Sequence, residues 1–122
     1  IIIYIHTMRN LALIGGGYWG KNLIRDFYNL QALHTVCDID TELLSKHKST
    51  YPEIETTTDW ETVLCSTDID RVCIALPAHL HYTFAKKSLE AGKHVYVEKP
   101  ITLDISQAEE LNTIAKEKGL IL

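Results

Sequence analysis

The chain lacks most of the features that would take it out of the ordinary globular class. No apolar run approaches the roughly 18 residues that a bilayer span requires. The opening Ile1-Ile2-Ile3-Tyr4-Ile5 is too short for a secretory core and has no basic segment ahead of it. Neither a membrane span nor an export signal is expected. Basic charge is also scarce: Lys and Arg number 12 against 16 Asp and Glu, a net charge of −4. A face suited to a nucleic-acid backbone is therefore not expected, and Lys86-Lys87 reads as a solvated helix face.

Cysteine is sparse and badly spaced for bonding. Cys37, Cys65 and Cys73 contain no C-x-x-C pair, and Cys37 and Cys73 sit in apolar runs where cysteine acts as a small hydrophobe. A disulfide framework does not fit, and a reducing, cytoplasmic setting does. Of six histidines only His79 and His81 fall close together, without a third ligand nearby, so no metal is expected. There is no internal repeat, low-complexity tract or linker. What remains is a chain of 122 residues, 46% hydrophobic and 23% charged, enough to bury the core of one domain.

That chain turns on the stretch LALIGGGYWGKN, Leu11 to Asn22. An apolar run stops at Gly15, and glycines recur at Gly17 and Gly20: G-x-G-x-x-G between a strand and a helix. Gly15 permits the tight turn, Gly17 lets the backbone approach a pyrophosphate, and Gly20 lets the helix sit close on the strand. The helix start offers N–H groups and the positive end of its dipole to phosphates. A glycine-rich turn also serves ordinary strand-to-helix connections, so other parts of the chain must decide between the readings.

Downstream, apolar residues recur at helical and strand spacings by turns. Leu23, Ile24, Phe27 and Leu30 mark a helix, Leu33 to Cys37 a strand, and Thr41 to Lys48 a helix capped by Asp40 or Thr41. Ile54 to Thr57 is a short strand, and Asp59 to Leu64 one or two helical turns. Arg71 to Leu76 is the continuous run of a strand covered on both faces. His79 to Ala91 is helical and ends at Gly92, and His94 to Val97 is a strand. A final helix opens at Thr102 or Asp104 and ends at Gly119. Leu120-Ile121-Leu122 reads as the start of a sixth strand. Strand alternating with helix is the pattern of an α/β doubly wound parallel sheet. The expected domain covers 8–122, with residues 1–7 an upstream extension or cloning remnant and a further domain beyond Leu122 missing.

Ligands bind such sheets beyond the carboxyl ends of the strands. The glycines, Asp38, Leu76-Pro77 and Glu98-Lys99-Pro100 fall at four such ends. Asp38 stands eighteen positions past Gly20, close to the separation of an acid that binds adenosine ribose. It would repel a 2′-phosphate, and neither Ile39 nor Asp40 could receive one, so NAD is expected over NADP. The competing role for Asp38, capping the next helix, suits Asp40 or Thr41 better. Pro77 is either a helix-start residue or an apolar wall for the cofactor. His81 faces either the cofactor or solvent. Pro100 holds Lys99 out of helical φ/ψ at the strand end. A lysine beside a nicotinamide can assist proton loss from a substrate hydroxyl, whereas the usual fate of lysine is the surface.

GGGYWGKN, VCDID and VCIALPAHLHYTFAKKSLEAGKHVYVEKP, with the helix that follows, resemble the N-terminal domain of the Gfo/Idh/MocA oxidoreductases, a Rossmann-type fold. The resemblance covers Arg9 to Leu122, and Glu98-Lys99-Pro100 is its most specific mark. GYWGKN with VCDID is most similar to members acting on nucleotide-linked sugars in polysaccharide biosynthesis, such as UDP-N-acetylglucosamine or its uronate 3-dehydrogenases. The resemblance implies that Gly15, Gly17, Tyr18, Trp19 and Gly20 line the pyrophosphate turn. It implies that Asp38 holds the ribose, that Pro77, His81 and Glu98 border the cofactor, and that Lys99 is catalytic. It further implies a second domain carrying the substrate pocket, a histidine and the homo-oligomer interface; without it the chain is expected to bind NAD and turn over little. Two rivals stand beside this dehydrogenase: a non-catalytic NAD sensor or regulatory protein, which has no need of Lys99, and an S-adenosylmethionine methyltransferase, which the Glu-Lys-Pro turn argues against.

Overall fold

Leu11, Ala12, Leu13 and Ile14 are all buried, with no exposed face. The computed structural model, which describes residues 9–122, explains this by topology. The chain runs β1 (Leu11–Ile14), α1 (Gly20–Asn29), β2 (Leu33–Cys37), α2 (Thr41–Thr50), β3 (Glu55–Thr57), α3 (Trp60–Cys65), β4 (Arg71–Ile74), α4 (Ala78–Glu90), β5 (His94–Val97) and α5 (Ile105–Lys118). The strands form one parallel sheet in the order β3-β2-β1-β4-β5, which puts β1 at the centre. The expected extension over residues 1–7 lies outside the described residues.

Side chains alternate across β1, so each face receives half of its apolar residues. Leu11 and Leu13 pack with Ile24 of α1, Leu44 of α2 and Leu33, Val36 and Ile54. Ala12 and Ile14 pack on the opposite face with Val63 of α3, Ala85 and Leu89 of α4, and Leu111 and Ala115 of α5. Helices on both faces are the reason the central strands read as unbroken apolar runs.

The helix ends follow local chemistry. Asp40 Oδ1 accepts the N–H groups of Glu42 and Leu43 at the start of α2, each at 3.0 Å. Asp59 accepts from Glu61 at the start of α3, and Asp104 from Ser106 at the start of α5. Hydrogen bonds from Ser106 and from the first amides of α5 hold the Asp104 carboxyl below its ordinary value of 3.8. A depressed carboxyl stabilises the fold above its unfolded value and loses that contribution as pH falls through the folded value. Asparagine caps comparably but carries no charge. Asp104→Asn should therefore lower the thermal midpoint near neutral pH, with the gap to the unaltered protein closing as the pH drops below about 4. A gap of constant size across an acid titration followed by calorimetry would refute this account of the cap.

Two features depart from the sequence reading. The sixth strand expected at Leu120 to Leu122 is not formed. These residues lie on the outer edge of β5 with one backbone bond, Val95 N–H to Ile121 O at 2.9 Å, and one from Ile121 N–H to His94 Nδ1 at 3.0 Å. A single backbone bond is too little to establish a ladder. Lys93, which the sequence places in a turn, is buried: its Nζ donates to the carbonyl oxygens of Ser66 and Ile69 at 2.6 and 2.5 Å, tying the turn before β5 to the α3–β4 connection.

Candidate functional site

Strand order reverses between β1 and β4, so the segments leaving their carboxyl ends part in opposite directions and open a crevice. Gly15 leaves β1 with φ of +94°, and a Cβ built on it would lie 2.4 Å from the Ala75 carbonyl oxygen beyond β4. At Gly20, the first residue of α1, a Cβ would lie 1.9 Å from Gly15 O. Both glycines are demanded by the fold itself. Gly17 is different, since a Cβ there would meet nothing within 4 Å. Nothing inside the chain calls for glycine at that position, and the surrounding space is open to a ligand.

The turn fits a phosphate group in a second respect. Trp19, at the N-cap of α1, provides no side-chain cap, and the first turn holds no acidic residue. The positive end of the helix is thus left for an anion from outside. Tyr18 and Trp19 are exposed beside it.

Asp38 stands just past β2 and is bound into the turn. Its Oδ2 accepts from Gly16 N–H at 2.8 Å and its Oδ1 from Asp40 N–H at 2.9 Å. It does not cap α2, a task that falls to Asp40. A carboxylate offers about four acceptor positions. Two are used here, and the remainder suit a pair of ribose hydroxyls.

At the far side, the Trp19 indole N–H donates to Glu98 Oε1 at 2.8 Å, linking the glycine turn to the end of β5. Tyr96 OH donates to the same oxygen at 3.3 Å. Trp19, Ala75, Leu76, Glu98 and Lys99 line a cleft of about 340 Å³. Lys99 is exposed there, and its peptide bond to Pro100 is cis. Pro77 is exposed at the N-cap of α4, where its carbonyl accepts from Leu80 N–H at 2.9 Å.

His81, expected on the border of the cofactor, is turned inward. It is 1% exposed, and its Nδ1 and Nε2 lie 2.6 Å from Pro100 O and 2.7 Å from Leu76 O. Each ring nitrogen lies against a backbone carbonyl oxygen. The ring therefore holds the Leu76-Pro77 and Lys99-Pro100 segments together from beneath and has no nitrogen left for a ligand.

His47 of α2 escaped the sequence reading: its Nε2 lies 2.8 Å from Gly16 O. The available signal was its spacing, three residues past buried Leu44 and four before half-buried Tyr51, on the face of α2 that meets the sheet. The nearby thiols are inert. Burial, with the charges of Asp38 and Asp59, pushes Cys37 up to about 11. Burial, with the charge of Glu98, pushes Cys73 up to about 12. Neither supplies a thiolate near neutral pH. A larger hollow of about 570 Å³ lies against β4 and β5, lined by Phe27, Val72, Val95, Tyr96, Ile101 and Ile121 among others, and neither Asp38, Glu98 nor Lys99 lines it.

A family model described as an oxidoreductase family with an NAD-binding Rossmann fold matches residues 9–122. The uncharacterized oxidoreductase YdgJ of Escherichia coli is 33% identical over 112 residues, which cover 92% of this chain and 32% of that protein. The chain thus spans about a third of the length of that relative. Among solved structures, UDP-N-acetylglucosamine 3-dehydrogenase GnnA from Acidithiobacillus ferrooxidans superposes with a TM-score of 0.84 at 26% identity, over 93% of this chain and 36% of its own. GenD2 from gentamicin A biosynthesis, solved in complex with NAD, also gives 0.84, at 28% identity over 93% of this chain and 33% of its own.

Proposed function

The chain belongs to the Gfo/Idh/MocA oxidoreductase family and carries its NAD-binding Rossmann fold, and on that footing we propose that it serves an NAD-dependent dehydrogenase of sugars or nucleotide sugars. The reaction moves a hydride between the nicotinamide and a secondary alcohol carbon. One observation carries this reading: Asp38 and Lys99 stand at carboxyl ends on opposite sides of the glycine turn, one suited to the ribose and the other to the reacting end. The likeness to GnnA supports a nucleotide-linked sugar as the substrate class.

When bound, NAD supplies a two-electron acceptor at its nicotinamide. The protein's own groups do the rest. Asp38 accepts hydrogen bonds from the ribose hydroxyls and disfavours a 2′-phosphate. The amides of the glycine turn and the start of α1 face the pyrophosphate. Lys99 holds a proton at Nζ and exchanges it with the substrate oxygen as that oxygen gains or loses charge. Trp19 and Glu98 form the cleft wall beside it. The full-length protein would bring a second domain with the substrate pocket, a histidine and the oligomer interface.

Titration calorimetry tests the cofactor half. The unaltered protein should bind NAD. Asp38→Ala should weaken that binding roughly 10- to 100-fold, the worth of one or two charge-assisted hydrogen bonds, and should narrow the preference over NADP. No heat from the unaltered protein, or an unchanged affinity in the variant, would sink the assignment.

A further inference from the structure

Two successive peptide planes make up the glycine turn, and each is fixed by a different element. The amide between Gly15 and Gly16 sends its N–H to Asp38 Oδ2 at 2.8 Å. Its carbonyl oxygen, Gly15 O, lies against Gly20 so closely that a Cβ on Gly20 would stand 1.9 Å away. The amide between Gly16 and Gly17 sends its carbonyl oxygen to His47 Nε2 at 2.8 Å. A carbonyl only accepts, so Nε2 carries the proton in this contact.

In a trans peptide the C=O and N–H point in opposite directions. With Gly16 O held against α2, the Gly17 N–H is turned away from α2, and the region around Gly17 is the part of the turn where a Cβ would meet nothing within 4 Å. We propose that His47 is a positioning residue for the cofactor: by donating to Gly16 O it sets the plane of the Gly16–Gly17 amide and presents the Gly17 N–H to the pyrophosphate oxygens. Donation to the carbonyl also polarises the amide, making its N–H a better donor. The inference rests on the NAD reading given above and adds a residue of α2 to it. Asp38 serves the same turn one amide earlier, so the ribose anchor and the pyrophosphate donor are set by separate side chains.

The test uses the full-length protein with His47→Leu, which fills space without a donor, and His47→Gln, whose amide nitrogen reaches about as far as Nε2. Each is titrated with NAD and, separately, with adenosine, which has the ribose and the base but no pyrophosphate. His47→Leu should lose about five- to tenfold in NAD affinity, the worth of one hydrogen bond, with adenosine affinity unchanged. His47→Gln should recover NAD affinity to within about twofold. If His47→Leu fails to fold, His47→Asn, too short to reach Gly16 O, should show the same selective loss. Equal losses for NAD and adenosine, or no loss for either, would overturn the proposal while leaving NAD binding intact. Failure of the unaltered protein to bind NAD would overturn the cofactor reading and this one with it.

Discussion

Gly20→Ala is expected to cost most of the stability of the domain. The added Cβ would stand 1.9 Å from Gly15 O and 2.9 Å from Gly15 C, and both obstacles are backbone. No rotamer change relieves them, so α1 must move off the end of β1, the central strand. Ile24 of α1 is fully buried against Leu11 and Leu13, and that packing is disrupted with it. A clash with backbone combined with lost core packing falls in the rare range above about 4 kcal/mol, against a total stability of roughly 5–15 kcal/mol. Urea denaturation should show a large fall in the midpoint, or no folded protein. Gly17→Ala serves as the comparison: its Cβ enters open space, so stability should change by no more than about 0.5 kcal/mol. Its NAD affinity should fall, because the methyl group would occupy the open space that the proposed function gives to the pyrophosphate. A Gly20→Ala protein with an unaltered denaturation curve would contradict the packing described for this turn.

The second large effect concerns turnover in the full-length protein. Lys99→Ala should lower kcat by about 10²- to 10⁴-fold, the usual contribution of a positioned acid or base. NAD affinity should stay within a few-fold of the original, since on the proposed reading Asp38 and the glycine turn carry the adenosine and pyrophosphate contacts. Lys99→Arg keeps the positive charge but yields its proton far less readily, so it should restore little of the rate. Steady-state kinetics with a nucleotide-sugar substrate, together with NAD titration, separates the two quantities. Unchanged kcat would remove Lys99 from the chemistry, whereas no turnover by the unaltered protein would favour one that binds NAD without using it for catalysis.

The sheet was legible in the sequence because its signals are local. A strand buried on both faces must be apolar throughout, and Leu11 to Ile14 and Val72 to Ile74 read that way. Caps are local too: Asp40, Asp59 and Asp104 each sit one residue ahead of the helix that they begin. The glycine spacing and the positions of Asp38 and Lys99 were visible because ligand contacts cluster where strands end. What stayed hidden depends on partners far along the chain. The spacing of His81 on α4 does not reveal that its nitrogens meet carbonyls at Leu76 and Pro100. Lys93 reads as a surface lysine until the α3–β4 connection folds over it. Gln31 takes a φ of +58° past the end of α1, a position where glycine is the usual signal. His47 resembles any helical histidine until the turn after β1 is packed against it.

The ties that shape the glycine turn also bear on the order of folding. Its bonds to Asp38, His47 and, through Trp19, Glu98 span 22, 31 and 79 residues of chain. A β1–α1 unit alone therefore has the glycines but not the bonds that fix the amides of the turn. Contacts of such long sequence separation pay their loop-closure cost late. The Trp19–Glu98 contact is added only when β5 has joined the sheet. The energy of NAD binding is expected to add to the stability of the folded sheet, rising with the logarithm of NAD concentration, so that the cofactor should act on this chain as a clamp on unfolding.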